Sequence, residues 1–333
     1  MSGKCAMPLP SIQHLFPPAP SFVEKDIPDL DGKVAIVTGA TSGVGYETAT
    51  VLYSKNATVY VAARSVQKGE KAIESIKSSQ ECAGSRGRLV FLALDLSDLT
   101  SIKVAVQSFL KREERLDILI HNAGVMQPPA GSKTKLGHDL EMGTNCLGPF
   151  LLNSLLLPLL RRTTASALPN SVRVVWVSSI VEFGTAQNGI IFDEETGAPK
   201  VLKDSMENYM QSKVGNVFLA NETAKRAGGD GVLSLSVHPG LMKTELQRHQ
   251  LALVGFTMVI IFKPPRYGAY TELFAALSPQ VIARDNGAYI LPWGRFGTIP
   301  DHIAKGIRSV SSGGTGLQER FWDWCENETA AYS

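Results

Sequence analysis

Apolar and polar positions along the chain form two kinds of segment. Short continuous apolar runs rich in β-branched residues occupy positions 33–38 and 57–63, and positions 46–53 between them have helical spacing. A short continuous apolar run is typical of a strand that is buried on both faces, as in a parallel sheet. The order strand, helix, strand predicts an α/β protein with a doubly wound parallel sheet and helices on both faces.

Later apolar runs extend this pattern, and we interpret residues 89–94, 116–120 and 174–177 as further strands. The chain has 333 residues, of which 44% are hydrophobic, so it is long enough to bury one large core. We expect a proline-rich arm at 1–30, a single domain at 31–300 and a C-terminal extension at 301–333. The arm should lie extended on the surface or be mobile.

A glycine-rich turn follows the first predicted strand. Gly39 allows a sharp turn, whereas Gly43 and Gly45 let the backbone and the start of the next helix approach a pyrophosphate. Strand, turn and helix together are the first unit of a Rossmann-type dinucleotide-binding fold, although an ordinary strand–helix loop is the alternative. The residues predicted to line this part of the site are Thr38, Gly39, Ser42, Gly43, Val44 and Gly45.

The end of the second predicted strand indicates which dinucleotide binds. An NAD site usually has a carboxylate at this point, where it accepts hydrogen bonds from the adenosine ribose. This chain has Arg64 instead, with Lys68 four residues later. Because a guanidinium suits a 2′-phosphate, NADP(H) is favoured over NAD(H). A solvated arginine at a strand end is the alternative.

A tyrosine and a lysine four positions apart indicate acid–base chemistry. If the chain is helical there, Tyr209 and Lys213 lie one turn apart on the same face. We expect the ammonium to stabilise the phenolate and so to lower the pKa of Tyr209 from its ordinary value of about 10. Such a tyrosine serves as an acid or base near neutral pH, whereas a surface pair is the alternative. Ser178 and Ser179, further upstream, supply a second hydroxyl.

With these motifs the chain resembles the short-chain dehydrogenase/reductase family over roughly residues 30–300. The glycine turn, the serine pair and the Tyr-x-x-x-Lys spacing occur in the family's order. His121 departs from the family's Asn-Asn-Ala-Gly segment, where it replaces the first asparagine, and we expect it to support the sheet. The remaining matches are Asp95 and Leu96 beside the adenine, Asn122, Ala123 and Gly124 after a central strand, Asn145 on a helix, and Pro239, Gly240 and Thr244 beside the nicotinamide.

The resemblance implies a carbonyl reductase or alcohol dehydrogenase. Ser179 and Tyr209 would hold the substrate oxygen, and Tyr209 would donate or remove the proton. Lys213 would tune Tyr209 and hold the nicotinamide ribose, while Asn145 would fix a water that relays protons toward Lys213. The alternatives are a non-catalytic NAD(P)-binding redox sensor, or a dehydratase or epimerase with the same fold.

In the family, substrate choice lies in the loops that correspond to residues 180–208 and 241–265. The apolar run 251–262 is too short to span a bilayer. Three interpretations remain: the run lines an apolar substrate pocket, contacts a membrane surface weakly, or belongs to the core. We expect an apolar polyketide, terpenoid or retinoid-like substrate. Residues 287–295 resemble the last strand and turn of filamentous-fungal reductases of secondary metabolism.

Composition excludes several other functions. The net charge of +2 predicts no nucleic-acid binding, and the four cysteines are too scattered for a zinc site or a disulfide framework, so no metal is expected. The N-terminus lacks a signal-peptide pattern, which favours the cytosol. The leucine-rich helix around Pro158 is either core or part of a two-fold interface, and family resemblance favours a homodimer.

Overall fold

The computed structural model describes residues 16–180, 185, 189–242 and 262–333. One eight-stranded sheet runs through this part of the chain in the order β3-β2-β1-β4-β5-β6-β7-β8. All neighbouring strands are parallel except β7 and β8, which are antiparallel. The strands are β1 (Val34–Thr38), β2 (Thr58–Ala63), β3 (Arg88–Ala93), β4 (Ile118–His121), β5 (Val172–Val177), β6 (Val232–Val237), β7 (Tyr289–Leu291) and β8 (Arg295–Gly297).

Helices cover both faces of the sheet, so the predicted doubly wound α/β fold is confirmed. They are α1 (Gly43–Ser54), α2 (Val66–Ser78), α3 (Leu99–Leu110), α4 (Leu140–Thr164), α5 (Ser205–Ala227), α6 (Pro265–Leu277), α7 (Asp301–Ile307) and α8 (Leu317–Thr329). One core lies between the sheet and α3, α4, α5, α7 and α8. The second lies between the sheet and α1, α2 and α6.

The strand order reverses beside β1, which pairs with β2 on one side and with β4 on the other. At such a point the connections that follow the two neighbouring strands run to opposite faces of the sheet. A crevice therefore forms beyond the carboxyl ends of these strands. This topological switch point is where a doubly wound sheet binds its ligand. It therefore fixes where the predicted site must lie.

The end of the predicted arm belongs to the core, which corrects the sequence interpretation. Phe22, Ile27 and Leu30 are all buried in the core on the α1 and α6 side. The ring of Phe22 packs edge-on against Phe274 of α6, with 6.0 Å between ring centroids. Residues 22–30 are therefore not a surface arm, because their apolar side chains are packed against the domain.

The C-terminal segment also packs against the domain. On α8, Phe321 and Trp322 are buried, and the Trp322 ring contacts Phe150 of α4 edge-on at 4.8 Å between centroids. Phe321 lies 6.4 Å from Phe218 of α5 by the same measure. The helix α4 is long and apolar enough to cross a membrane, but 72% of its most apolar window is buried inside the protein. Its leucine-rich stretch is thus largely core.

Candidate active site

Hydrogen bonds lock together the carboxyl ends of β1 and β4, at the switch point. The Thr38 hydroxyl donates to the Ile120 carbonyl over 3.3 Å and accepts from the Ala123 N–H over 3.0 Å. The Asn122 side chain donates to the Thr38 carbonyl over 2.8 Å. These bonds hold the segment after β4 against the glycine turn.

The glycine turn has the backbone geometry that only glycine adopts easily. Gly39 and Gly43 have φ angles of +68° and +60°. A Cβ atom on Gly45 would overlap the Asn122 amide and lie 2.9 Å from the Gly39 carbonyl oxygen, so the start of α1 sits directly on the turn. The segment therefore folds as the glycine pattern predicts.

The N-terminus of α1 fits an anionic ligand. Ser42 is the N-cap residue, yet its side chain makes no capping hydrogen bond, and the first turn of α1 contains no acidic residue. Val44, in that first turn, is buried. The first N–H groups of a helix have no partner within the helix and favour negative charge. A pyrophosphate suits this helix end.

Arg64 and Lys68 lie just beyond β2, the strand that pairs with β1. Arg64 follows β2, and Ser65 caps α2 by accepting a hydrogen bond from the Lys68 N–H. Both basic side chains are exposed, and neither forms an ion pair within the described part of the chain. The guanidinium is thus available to an anion.

Asp95 and Leu96 follow β3 at the same edge of the sheet. The Asp95 carboxylate accepts hydrogen bonds from the N–H and the hydroxyl of Ser97 over 3.0 and 2.7 Å. Leu96 is buried, and a Cβ atom on Gly148 would overlap its carbonyl oxygen, so α4 passes directly over this residue. Both positions therefore lie at the carboxyl end of β3, and their contact with the adenine stays a prediction.

The four residues predicted for catalysis lie together. Tyr209 and Lys213 are 4% and 3% exposed, and Asn145 is also buried. Tyr209 is hydrogen-bonded to Ser179, the second residue after the end of β5. The Lys213 Nζ atom lies 5.7 Å from the centroid of the Tyr209 ring and donates to the Val177 carbonyl over 2.9 Å. The pair is therefore part of a buried cluster and not a surface pair.

Asn145 lies within a π-helical turn, Gly143–Leu147, inside α4. Such turns often occur at functional sites. Its amide donates to the Val125 carbonyl and to the Ser212 hydroxyl, each over 2.9 Å, and its Oδ1 accepts from the Val125 N–H over 2.8 Å. Both amide hydrogens are thus used within the protein. One acceptor position on Oδ1 remains for the predicted water.

Burial determines the charges in the cluster. Removal from water raises the pKa of Tyr209, the Ser179 hydrogen bond opposes this, and the charge of Glu141 adds to it. The expected net lowering of the Tyr209 pKa is therefore wrong for this geometry, because desolvation outweighs the effects that favour the phenolate. Burial also lowers the pKa of Lys213 to about 8, and the charges of Cys146, Glu141 and Glu272 partly offset this.

Sequence reasoning missed three residues of this cluster. Ser212 accepts from Asn145 and donates to the Tyr209 carbonyl over 2.7 Å. Glu141 and Glu272 are buried carboxyl groups that act electrostatically on Lys213. A signal existed for Glu141, because it precedes Asn145 by four positions and so shares its helix face.

The remaining predicted residues have mixed outcomes. Gly240 has a φ of +92°, and a Cβ atom there would lie 2.5 Å from the Trp293 ring, so it and Pro239 occupy a tight turn after β6. Gly124 faces the cluster, since its Cβ would lie 3.2 Å from Asn145 Oδ1 and 3.4 Å from Lys213 Nζ. Thr244, most of the run 251–262 and residues 181–184 and 186–188 lie outside the described residues.

His121 is buried with its ring 4.1 Å from that of Trp176, and burial lowers its pKa to about 3. The ring is therefore neutral and packs against the Trp176 side chain of the neighbouring strand β5, in line with the supporting role expected for it. Within the described ranges, no three His, Cys, Asp or Glu side chains form a group that could hold a metal ion.

Known proteins are similar to this chain in sequence and in fold. Residues 33–252 match the family model of short chain dehydrogenases. A short-chain dehydrogenase/reductase of Phomopsis amygdali is 48% identical over 325 residues, covering 96% of this chain and 96% of that protein. The short-chain dehydrogenase/reductase bet4 of Neocamarosporium betae is 43% identical over 324 residues, covering 96% and 92%.

A solved structure, the Pseudomonas aeruginosa RhlG/NADP active-site complex, superposes with a TM-score of 0.61 at 23% identity. It covers 79% of this chain and 95% of that chain, and at this identity the likeness supports the fold. Fold and site together define an oxidoreductase that acts on CH–OH or C=O groups of a small substrate. The chain belongs to the short-chain dehydrogenase/reductase family, whose members bind NAD(P).

Proposed function

We propose that the protein is an NADP(H)-dependent carbonyl reductase or alcohol dehydrogenase whose acid–base residue is Tyr209. The observation that carries this proposal is the hydrogen bond between Ser179 and the buried Tyr209, with Lys213 one helical turn away. The pair lies at the same sheet edge as the glycine turn. A substrate oxygen that accepts hydrogen bonds from both hydroxyls would lie between the two side chains.

Each residue of the cluster has a distinct task in this proposal. NADP(H), when bound, supplies or receives the hydride. Tyr209 donates its proton to the carbonyl oxygen in reduction and removes the alcohol proton in oxidation, while Ser179 orients that oxygen. Lys213 stabilises the phenolate and holds the nicotinamide ribose, and Asn145 Oδ1 holds a water that returns protons toward Lys213.

The remaining contacts with the cofactor follow the sheet edge. Thr38, Gly39, Ser42, Gly43, Val44 and Gly45 hold the pyrophosphate, Asp95 and Leu96 contact the adenine, and Asn122, Ala123, Gly124, Pro239, Gly240 and Thr244 contact the nicotinamide half. Arg64 and Lys68 bind the 2′-phosphate. The exposed guanidinium of Arg64, which forms no ion pair with any described residue, supports NADP(H) over NAD(H).

Fluorescence titration with NADPH and NADH tests the cofactor preference. We expect Arg64→Ala to weaken NADPH binding by about 10- to 100-fold, because the variant loses a charge-assisted hydrogen bond to the 2′-phosphate. NADH binding should be unchanged, since NADH has no such phosphate. Lys71→Ala is the matched control, because Lys71 is an exposed cation on α2, the helix that follows Arg64. If the wild type bound NADH more tightly than NADPH, the proposed preference for NADP(H) would be wrong, whereas the fold assignment would be unaffected.

The substrate in this proposal is mainly apolar: a polyketide, a terpenoid or a retinoid-like compound, in a fungal secondary-metabolite pathway. The loop 180–208 carries the apolar residues Ile190 and Phe192, which pack in the core, and the relatives from Phomopsis amygdali and Neocamarosporium betae are fungal proteins. A panel of ketones, aldehydes and alcohols graded by apolar size tests this. Faster turnover of the larger apolar members is expected, and a preference for small polar ones would contradict it.

The buried pair Tyr209 and Lys213, with Tyr209 hydrogen-bonded to Ser179, favours turnover over a sensor function, since a sensor has no need of a buried acid–base group. If the protein is a dehydratase or an epimerase, product analysis would show a changed substrate with no net oxidation or reduction of the nicotinamide cofactor.

We also propose that the protein is a homodimer in the cytosol. Family resemblance supports the dimer, and the free thiols of Cys82, Cys146 and Cys325 support the compartment. Because α8 covers part of α4 and α5, light scattering with an α8 surface variant would show whether the dimer uses this face.

A further inference from the structure

Glu141 is a charged residue in an unusual position. It lies in the first turn of α4, where the N-cap carboxylate of Asp139 accepts hydrogen bonds from the Glu141 and Met142 N–H groups. Its side chain is nevertheless only 2% exposed. Because carboxylates are rarely buried without a partner, the position requires an explanation.

The Glu141 carboxyl holds the backbone beside the site. Its Oε1 atom accepts a hydrogen bond from the Gln127 N–H over 2.7 Å. Gln127 has a φ of +46°, a conformation that residues other than glycine rarely adopt. The Gln127 side chain donates to the Ser205 hydroxyl over 3.1 Å, at the start of α5 and four residues before Tyr209. Gln127 thus connects Glu141 to the helix that carries the acid–base pair.

Asn145, one turn later on α4, fastens the same segment at a second point. It binds the N–H and the carbonyl of Val125, whereas Glu141 binds Gln127. Gly124, at the start of this segment, faces Lys213 Nζ. Residues 124–127 are therefore held in place on the cluster by two side chains from one helix face.

The charge of Glu141 also faces the cluster. Burial is the largest cause that raises the pKa of Glu141, to about 7; the hydrogen bond from the Gln127 N–H lowers it, the N-cap Asp139 raises it, and Lys213 on α5 lowers it. In return, the ionised carboxylate raises the pKa of Tyr209 and of Lys213. Glu141 thus changes charge in the range in which an enzyme works, next to both groups.

We propose that Glu141 is a positioning residue for proton transfer at Tyr209. Its carboxyl fixes residues 124–127 beside Lys213 and sets a titratable charge against the Tyr209–Lys213 pair. This role rests on the proposed function. It acts through the loop and through the electrostatic field, without contact between Glu141 and the substrate.

The test compares Glu141→Gln and Glu141→Ala with wild type in the full-length protein. Glu222→Gln is the control, since Glu222 is an equally buried carboxyl group on α5 that binds Arg226 and Gln318. The rate of alcohol oxidation, kcat/KM, is measured against pH with NADP+ and the fastest alcohol of the substrate panel. NADPH affinity and the thermal unfolding midpoint are recorded for each variant.

Glutamine keeps an acceptor for the Gln127 N–H and removes the charge. Since oxidation needs the Tyr209 phenolate, we expect its acidic limb to move to lower pH by about one unit in Glu141→Gln. Glu141→Ala also loses the loop anchor, and its kcat/KM should fall about 10- to 100-fold, with glutamine restoring most of this loss. Glu222→Gln should keep the wild-type profile.

Two outcomes would overturn the proposal, and they are distinguishable. An active wild type whose pH profile is unchanged in Glu141→Gln would remove the role of Glu141 and leave the proposed function intact. A folded wild type that binds NADPH but turns over no member of the panel would remove the proposed function, and the role of Glu141 with it. If Glu141→Ala fails to fold, the glutamine profile alone decides.

Discussion

The Nζ atom of Lys213 donates a hydrogen bond to the Val177 carbonyl over 2.9 Å, and this bond joins the middle of α5 to the end of β5. The Asn216 amide donates to the same oxygen over 3.0 Å. The carbonyl would therefore keep a partner if the ammonium were removed. We infer that the protein needs Lys213 for its positive charge. The buried position disfavours this charge and lowers the pKa of Lys213 to about 8.

Lys213→Met should therefore separate stability from activity. The unfolded chain, in which a lysine pKa is about 10.4, binds the proton more tightly, so stability is reduced below pH 8 and recovers as the pH rises toward 10. We expect the variant to be more stable by about 1–3 kcal/mol at pH 7, with a smaller gain at pH 10, and to have lost turnover. Urea unfolding at both pH values, with exposed Lys225→Met as control, checks this. A less stable variant at pH 7 would contradict it.

Glu272 should make the protein less stable as the pH rises. Its side chain is 0% exposed, its Oε2 accepts a hydrogen bond from the Thr48 hydroxyl, and burial raises its pKa to about 8. A raised carboxyl pKa gives stability that is present below the unfolded value of about 4.3 and is lost as the pH rises through 8. We expect Glu272→Gln to lack this loss, about 1.4 kcal/mol per pH unit, in urea titrations at pH 5 and 8. Equal slopes in wild type and variant would refute the assignment, and exposed Glu207→Gln should match wild type.

Gly45→Ala should disrupt the cofactor turn. The added methyl group would overlap the Asn122 amide and press on the Gly39 carbonyl, so α1 must move away from the turn. We expect NADPH affinity to fall at least about 10-fold, because the phosphate contacts depend on this approach. Gly229→Ala is the control, since no atom lies within 4 Å of the Cβ added there. Unchanged NADPH binding in Gly45→Ala would show that the dinucleotide lies elsewhere.

Phe321→Ala should show that α8 is part of the folded domain. Its ring is 0% exposed between α4 and α5, so its removal should lower the free energy of unfolding by about 3–5 kcal/mol. Phe296→Ala on β8, where the ring is 45% exposed, should cost far less. Chemical denaturation measures both. A cost below that of the control would mean that α8 contributes little to stability.

The sheet and the glycine turn could be predicted from the sequence because each is a local pattern. Buried parallel strands have continuous apolar runs, and the turn needs glycine at positions such as Gly39 and Gly43, whose φ angles are positive. The Tyr209–Lys213 spacing likewise depends only on helical geometry. Such features require no knowledge of distant contacts.

The features that the sequence did not reveal depend on distant contacts. Phe22, Ile27 and Leu30 stand among prolines without a regular period, so nothing local indicates that they join the core on the α1 and α6 side. The burial of Glu141 follows from the loop folded over it, and a carboxylate in a polar stretch is expected to be exposed. Desolvation of Tyr209 is set by the whole cluster, so the spacing to Lys213 could not show which effect on the pKa dominates.

The central claim is that Tyr209 transfers the proton in a nicotinamide-dependent reaction. The most direct test is turnover of NADPH with the best carbonyl of the panel by wild type and Tyr209→Phe, with NADPH binding measured on the same samples. We predict that kcat falls about 10²- to 10⁴-fold in the variant while NADPH affinity stays within a factor of about two. Comparable kcat values in the two proteins would contradict the account.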